Sequence, residues 1–318
     1  PPGDFYVDPT RPVDRAVITH GHSDHARSGH GTVLATPETL AIMAARYGAE
    51  FAASNQAARY GEPITRGSVR VTLVPAGHVL GSAQVVLNWK GITAVISGDY
   101  KRRSDPTCAA FEPVPCELFV SEATFGLPVF HFPPAEEEVA KLLKSVALFP
   151  ERTHLLGAYA LGKAQRLIAL LRQAGYDKPV YVHGALTSMN ALYQAHGVAL
   201  GPFLPATDSS RNALPGEIVI APPSAIADKW ARRFADPIPA FASGWMMVKA
   251  RARQRHVELP LVVSDHADWD ELILTVGELK PEEFWITHGN EEALLRWAQL
   301  NNVAATALEI AGYEDEEE

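Results

Sequence analysis

Cysteine and long apolar runs are both scarce in this sequence, and their scarcity narrows the class of protein. Only two cysteines occur among 318 residues, Cys108 and Cys116, which is too few for a disulfide framework. We therefore expect a reducing, cytoplasmic compartment. No stretch approaches the roughly 18–20 consecutive apolar residues that a membrane-spanning helix needs, so no membrane partner is expected. Hydrophobic residues still make up 47% of the chain, which is enough to build a core.

Positive charge is also in deficit. The formal net charge is −9, and an overall negative charge argues against a polyanionic partner. Five of the negative charges belong to the tail Glu314-Asp315-Glu316-Glu317-Glu318, which we expect to be a solvated, frayed end. The local arrangement of charge, rather than its total, therefore decides whether nucleic acid is a plausible partner.

The pattern of the chain changes near residue 132. Before that point, β-branched runs such as Val69–Pro75 and Thr93–Ser97, bounded by glycine or proline, predict closely spaced strands. After it, strands such as Thr153–Ala158 alternate with helices such as Gly162–Ala174, which predicts parallel βαβ units. We therefore predict an α/β fold in which a domain at 132–245 is inserted between two parts of one core, at 1–131 and 246–318.

The most specific motif is His20-Gly21-His22-Ser23-Asp24-His25, directly after an apolar strand that ends at Thr19. Imidazole and carboxylate groups are zinc ligands, and a short loop at a strand end can aim several of them at one point. The pairs His20/His22 and Asp24/His25 would each suit one metal of a close dinuclear site. A chance cluster or a surface metal trap is the alternative interpretation.

Three further candidates repeat one context, in which a strand is followed by a ligand beside a glycine: His78, Asp99 and His288. A carboxylate at position 99 can bridge two metals. Asp8 also ends a short strand, and it would suit the acceptance of a proton from a ligand imidazole. An ordinary turn carboxylate before a proline is the alternative for Asp8.

These motifs resemble those of the β-CASP branch of the metallo-β-lactamase superfamily, which holds nucleases of DNA and RNA processing. The resemblance implies an αββα sandwich with an inserted α/β cap domain. Within the branch, the sequence of these segments is most similar to that of the bacterial ligase-associated DNA exonucleases. This similarity implies an ATP-dependent DNA ligase and a helicase as partners in DNA repair. The segments that carry the resemblance, beyond the metal motifs, are Asp4–Asp8, Ser121–Gly126, Leu161–Arg166, Ala242–Met246, Ser264–Asp268 and Thr287–Gly289.

The resemblance also implies a role for each residue of the site. One divalent ion would be held by His20, His22 and His78, and the other by Asp24, His25 and His288, with Asp99 between them. Zn²⁺ is the expected metal, and Mn²⁺ is the alternative. A hydroxide between the two ions, formed because bound water has a pKa of about 7, would attack phosphorus. His266 would then act as the general acid, oriented by Glu122.

Contacts to the substrate are predicted from basic residues after a glycine turn. Period-two spacing would place three arginines on one face if that segment were a strand, where they could follow the phosphates of a single strand. A solvated sheet edge would look the same. The residues in question are Ser243, Gly244, Lys249, Arg251, Arg253 and Arg255.

The leading interpretation is a metal-dependent nuclease, most consistent with a DNA exonuclease. An RNA-processing nuclease of the same branch is the alternative, because RNA-processing members keep the histidine found here at His288. A thioester or lactone hydrolase and a non-catalytic subunit rank lower, because the inserted domain, Glu122 and His266 suit phosphodiester cleavage and every ligand position is filled. The direction of digestion and the choice between end and internal cleavage stay open.

Overall fold

The computed structural model describes residues 2–206 and 214–308, so the acidic tail at 314–318 lies outside the described residues. The chain forms two compact units. The first runs to His131 and resumes at His266, and the second is Phe132–Asp265. Within the two described stretches, no helix is both long and apolar enough to cross a membrane.

The first unit contains two β-sheets. Four parallel strands form the smaller sheet in the order β1-β2-β3-β4: β1 Tyr6–Val7, β2 Arg15–Val17, β3 His30–Ala35 and β4 Ala52–Ala57. Seven strands form the larger sheet in the order β17-β16-β9-β8-β7-β6-β5. Their bounds are β5 Pro63–Arg66, β6 Val69–Pro75, β7 Ala83–Trp89, β8 Ile92–Ile96, β9 Leu118–Ala123, β16 Glu283–Gly289 and β17 Ala305–Ala307.

Alternation of side chains along the strands creates the layers. In β2, Val17 packs with residues of the larger sheet such as Val71 and Val85, because successive side chains point to opposite faces. Its neighbours Ala16 and Ile18 pack instead with helix α1 (Pro37–Tyr47) on the outer face of the smaller sheet. Helices α7 (Trp269–Leu279) and α8 (Glu291–Leu300) cover the outer face of the larger sheet. The order helix, sheet, sheet, helix is that of an αββα sandwich, and the predicted α/β fold class is confirmed.

The start of α7 is set by its N-cap, Asp268. Its carboxylate accepts a hydrogen bond from the backbone N–H of Glu271 at 3.0 Å, which satisfies one of the unpaired donors in the first helical turn. The other oxygen accepts from the guanidinium of Arg103 at 2.6 Å. Because His266 lies two residues before this cap, the backbone that carries it has a defined position.

The second unit is built on one six-stranded sheet, in which every neighbouring pair is parallel and the order is β12-β11-β13-β10-β14-β15. The central strands β10 and β13 are buried along their whole length, as expected of parallel strands covered on both faces. The strands are β10 His154–Gly157, β11 Val180–Val182, β12 Phe203–Pro205, β13 Ile218–Ala221, β14 Ile238–Ala242 and β15 Leu259–Leu261. The helices are α2 Ala135–Leu148, α3 Lys163–Gln173, α4 Gly184–Ala195, α5 Pro223–Ala227 and α6 Lys249–Gln254.

The sequence places the end of the inserted segment at residue 245, whereas β15 continues the same sheet beyond that point and the unit closes at Asp265. The pairing of β15 with β14 joins segments that the local pattern does not connect. Whether these compact units are the domains that the sequence predicts stays a prediction.

Candidate metal centre

All of the candidate ligands lie where strands end. Strands β8, β9 and β16 pair in parallel, and β6 has the same direction because the antiparallel β7 lies between it and β8. Their carboxyl ends therefore share one edge of the larger sheet, and that edge carries His78, Asp99 and His288. The loop 20–25 follows β2 of the smaller sheet, and the backbone N–H of Ala83 donates to the carbonyl of Thr19 at 2.8 Å, which joins the loop to the larger sheet.

The first cluster consists of three histidines and one oxygen of Asp99. Nδ1 of His22 lies 3.1 Å from Nε2 of His20 and 2.9 Å from Nε2 of His78. A ring nitrogen offers one hydrogen or one lone pair in the ring plane, so Nδ1 of His22 can hydrogen-bond with one of these nitrogens but not with both. A metal ion shared by the three rings would satisfy all of them. Oδ2 of Asp99 is 3.4 Å from Nε2 of His20 and 3.6 Å from Nε2 of His78.

The second cluster faces the other oxygen of the same carboxylate. Oδ1 of Asp99 lies 3.5 Å from Nε2 of His25 and 3.3 Å from Nε2 of His288. Oδ2 of Asp24 is 3.4 Å from Nε2 of His25. Asp99 therefore turns one oxygen towards each cluster, which is the arrangement of a carboxylate that bridges two ions.

The spacing of the ligand atoms fits divalent metal ions. With bonds of about 2.0–2.1 Å, the edges of a tetrahedral zinc site are about 3.3–3.4 Å long, and the distances between neighbouring ligand atoms run from 2.9 to 3.6 Å. In addition, Oδ1 of Asp99 is buried and accepts no hydrogen bond from any described residue. A buried oxygen without a partner destabilises the fold, and a bound cation would satisfy it. Imidazole and carboxylate ligands suit Zn²⁺ and also Mn²⁺ or Fe²⁺.

Asp8 lies behind both clusters. Its Oδ2 accepts from Nδ1–H of His25 at 2.8 Å and from the hydroxyl of Thr19 at 2.6 Å. Its Oδ1 accepts from the backbone N–H of Thr19 at 2.8 Å. The structure thus places Asp8 where the sequence reasoning expects it, in contact with a ligand imidazole. Its supporting role stays a prediction.

The charged groups of the two clusters shift one another's pKa values. Burial opposes ionisation of Asp99, but the charge of His25, followed by that of His20, holds the pKa of Asp99 well below its ordinary value. Burial also opposes protonation of His25, yet Asp99, Asp8 and Asp24 together raise the pKa of His25 to about 10. Burial and then His25 lower the pKa of His20. A metal ion would therefore displace a proton from this cluster on binding.

His266 and Glu122 form a pair at the end of β9. Nδ1 of His266 lies 2.8 Å from Oε2 of Glu122, and both residues are buried. Glu122 also accepts from the hydroxyl of Thr124 at 2.6 Å and from the backbone N–H of Tyr100 at 2.7 Å. Nδ1 of His266 is 4.0 Å from Oδ2 of Asp99, so the pair lies beside the ligand clusters.

The predicted arrangement of the basic segment is wrong. Arg251 and Arg253 belong to the helix α6 and Arg255 is its C-cap, so a spacing of two residues does not place the arginines on one face. The alternating alanines and arginines are strong helix formers, and this preference decides the local structure. Arg251 stacks on the ring of Trp245 at 3.8 Å, and Arg255 lies 4.9 Å from the ring of Phe241.

The glycine turn that precedes α6 is buried. The hydroxyl of Ser243 accepts from the backbone N–H of Trp245 at 3.2 Å, and Gly244 begins a short 3₁₀ turn. Lys249 and the three arginines are exposed. Whether any of these residues contacts a substrate stays a prediction.

Several polar residues that have no role predicted from the sequence make contacts in or near the candidate sites. Thr19 and Thr287 contact the candidate ligands His20 and His288, and a Thr-His dipeptide at the end of an apolar strand is the signal that could have revealed them. In the second unit, Lys163 and Arg166 are buried beside the carboxylate of Asp265, with ion-pair distances of 3.8 and 3.2 Å. Those two cations begin α3, within the segment that carries part of the resemblance.

Comparison with known proteins gives relatives of two kinds, although no family model matches the chain. A probable DNA ligase from Opitutus terrae is 29% identical over 292 residues, which are 90% of this chain and 28% of that protein. Endoribonuclease YSH1 from Gibberella zeae is 34% identical over 128 residues, covering 37% of this chain and 15% of that protein. Cleavage and polyadenylation specificity factor subunit 3 from Dictyostelium discoideum is 27% identical over 214 residues, covering 57% and 27%. The chain therefore spans less than a third of the length of each relative.

Among solved structures, a protein of unknown function from Enterococcus faecalis V583 is similar in fold. The TM-score is 0.60 at 13% sequence identity, and the match covers 94% of this chain and 80% of that one. The relatives, taken with the motifs that carry the resemblance, confirm the similarity of this chain to the β-CASP branch of the metallo-β-lactamase superfamily, near its ligase-associated nucleases.

Proposed function

We propose that the chain is a metal-dependent nuclease that hydrolyses phosphodiester bonds, and that its substrate is the end of a DNA strand. The observation that carries this proposal is the carboxylate of Asp99, which turns one oxygen to each of two ligand clusters. Beside it lies a histidine, His266, that is held by Glu122. Two metal positions with an adjacent acid–base group suit the in-line displacement of an alcohol from phosphorus.

The two bound ions would supply a hydroxide nucleophile at neutral pH and neutralise charge on the phosphoryl oxygens. A side chain of the protein would supply the proton that the leaving group needs. Nδ1–H of His266 points to Glu122, and that carboxylate favours the charged imidazolium. Nε2 of His266 is then the nitrogen that delivers a proton to the departing oxygen.

The choice of DNA rests on the extent of the similarity. The relative named as a probable DNA ligase matches 90% of this chain, whereas the endoribonuclease from Gibberella zeae matches 37%. The same relative supports a DNA ligase as a partner. A helicase partner and a place in DNA repair rest on the resemblance alone. RNA is the second candidate, because six of the relatives are named endoribonucleases.

The test is incubation of the full chain with end-labelled DNA and matched RNA, single- and double-stranded, in the presence of Zn²⁺ or Mn²⁺. We expect DNA to shorten stepwise and a chelator to stop the reaction. Asp24→Ala should abolish activity, and His266→Ala should lower it by about 10²–10⁴-fold, the usual contribution of a general acid. His131→Ala is the matched control, because His131 is an exposed histidine of the same unit that pairs with Asp270 at 2.7 Å.

Three outcomes would contradict parts of the proposal. Cleavage of RNA alone would overturn the choice of DNA. Internal cuts in circular DNA would overturn the preference for ends. Turnover of thioesters or lactones without nuclease activity would overturn phosphodiester hydrolysis itself.

A further inference from the structure

Two Thr-His pairs occupy equivalent places in the metal centre. The hydroxyl of Thr19 lies 3.0 Å from Nδ1 of His20, and the hydroxyl of Thr287 lies 3.1 Å from Nδ1 of His288. Each hydroxyl has a second neighbour that can only accept. Thr19 donates to the carboxylate of Asp8 at 2.6 Å, and Thr287 donates to the backbone carbonyl of Ser121 at 3.1 Å.

The number of hydrogens available determines which atom donates in each hydrogen bond of the two hydroxyls. A hydroxyl has one hydrogen and can accept on its lone pairs. The hydrogen of Thr19 goes to Asp8, whose two oxygens receive three donors in all, so the oxygen of Thr19 must accept from Nδ1–H of His20. The hydrogen of Thr287 goes to a carbonyl, so its oxygen likewise accepts from Nδ1–H of His288. With the hydrogen on Nδ1, a neutral imidazole keeps its lone pair on Nε2.

Nε2 is the nitrogen that faces the ligand clusters in both histidines. Nε2 of His20 is 3.4 Å from Oδ2 of Asp99, and Nε2 of His288 is 3.3 Å from Oδ1. We propose that Thr19 and Thr287 are positioning residues, each of which holds one ligand histidine in the tautomer that binds metal. This inference rests on the proposed ligand sets, in which His20 serves the first ion and His288 the second.

The hydrogen-bond chains through Thr19 and Thr287 connect to different numbers of candidate ligands. The chain of hydrogen bonds from His20 passes through Thr19 to Asp8, which also accepts directly from His25 at 2.8 Å. One carboxylate therefore orients a ligand of each ion. The chain from His288 ends at the neutral carbonyl of Ser121 and serves the second ion alone. Loss of Thr19 should weaken the first position, loss of Thr287 the second, and loss of the Asp8 charge both.

The test compares zinc affinity in the full chain, measured by competition with a chromophoric chelator, for Thr19→Val and Thr287→Val. Valine keeps the shape of threonine without the hydroxyl. Removing such a supporting hydrogen bond should weaken one position by about 10–100-fold, and Thr19→Ser and Thr287→Ser should restore the affinity. Asp8→Asn should weaken both positions.

A background variant tells the two positions apart. In His288→Ala, which lacks a predicted ligand of the second ion, Thr19→Val should still weaken the remaining position, and Thr287→Val should change nothing. A second readout needs no metal at all. In the ¹⁵N spectrum of the metal-free protein, His20 should be the Nδ1–H tautomer, and Thr19→Val should mix the two tautomers.

Unchanged zinc affinity in both valine variants would overturn the inference, as would serine variants that behave like valine. If a valine variant fails to fold, the tautomer of the candidate ligand histidine is measured in the serine variant and in the unaltered protein instead. An Nε2–H tautomer in either protein overturns the inference. Nuclease activity is not part of this readout. A protein that binds two zinc ions as expected but cleaves no nucleic acid would contradict the proposed function and leave this inference standing.

Discussion

Replacing Gly77 with alanine should loosen the loop that carries His78. Gly77 has a φ of +77°, and a Cβ atom there would lie 2.2 Å from the carbonyl oxygen of Lys101 and 3.0 Å from the backbone nitrogen of Phe111. Both neighbours are backbone atoms, so neither can swing aside. The loop is also held from within, because Nζ of Lys101 donates to the carbonyl of Gly77 at 2.5 Å and pairs with Asp105 at 3.0 Å.

The expected magnitude has two parts that a matched control separates. A left-handed φ costs an alanine about 1 kcal/mol, and forcing a group into an occupied space costs about 1–3 kcal/mol more. Gly91 has a similar φ of +85° but nothing within 4 Å of its Cβ position. We therefore expect Gly77→Ala to lower the free energy of unfolding by about 2–4 kcal/mol, and Gly91→Ala to lower it by about 1 kcal/mol.

Urea unfolding of the metal-free proteins, followed by tryptophan fluorescence, measures these free energies. Zinc content after dialysis shows whether His78 still takes part in the site, and we expect Gly77→Ala to retain less zinc than Gly91→Ala. Equal losses of stability in the two variants would refute the steric argument. A normal zinc content in a destabilised Gly77→Ala would refute the link between this loop and the metal site.

Three other predictions concern stability and binding. Asp268→Asn should keep the N-cap of α7 and lose the ion pair with Arg103, whereas Asp268→Ala loses both, so chemical denaturation should find the alanine variant less stable by about 1 kcal/mol. Burial, followed by the charge of Arg152, lowers the pKa of the fully buried His154 below 6.5. The unfolded chain therefore binds a proton more readily than the folded chain. This contribution to the free energy of unfolding is present above about pH 6.5 and is lost as the pH falls further, by at most about 1.4 kcal/mol at a pH one unit lower. His154→Gln should remove this part of the difference between urea curves at about pH 7.5 and about pH 5.5. If the exposed Arg253 contacts a phosphate, Arg253→Gln should reduce the slope of log affinity against log salt by about 0.7–0.9 in a DNA-binding titration, and an unchanged slope would exclude that contact.

Much of the candidate metal centre could be predicted because each candidate ligand carries a local signal. His78 and Asp99 follow apolar strands and lie next to glycines, and the carboxyl ends of strands that share a direction meet at one edge. Strand β6 also lies at the predicted bounds, Val69–Pro75, because its β-branched residues mark it. In these cases the information lies within a few neighbouring residues.

Other features depend on partners that are distant in the sequence. Strand β4, Ala52–Ala57, is mostly exposed and has little apolar alternation, so it is recognised by its pairing with β3 rather than by its residues. The spacing of the arginines of α6 predicts a strand, whereas the segment forms a helix. The bond from Thr287 to the carbonyl of Ser121 joins two strands that are far apart in the chain, and no local pattern encodes it.

The position of β16 in the larger sheet has a consequence for synthesis on the ribosome. Strand β9 pairs with β8 on one side and with β16 on the other, and the whole second unit is made between β9 and β16. At about 5–20 residues per second, the edge of β9 stays open for roughly 10–30 s, with an apolar Phe119-Val120 at its centre. The predicted ligands of the first ion are all present once residue 99 has been made, whereas the second position waits for His288. If the chain binds two ions as proposed, the nascent chain can therefore take them up at different times, and a holdase chaperone that covers the edge of β9 would act in that interval.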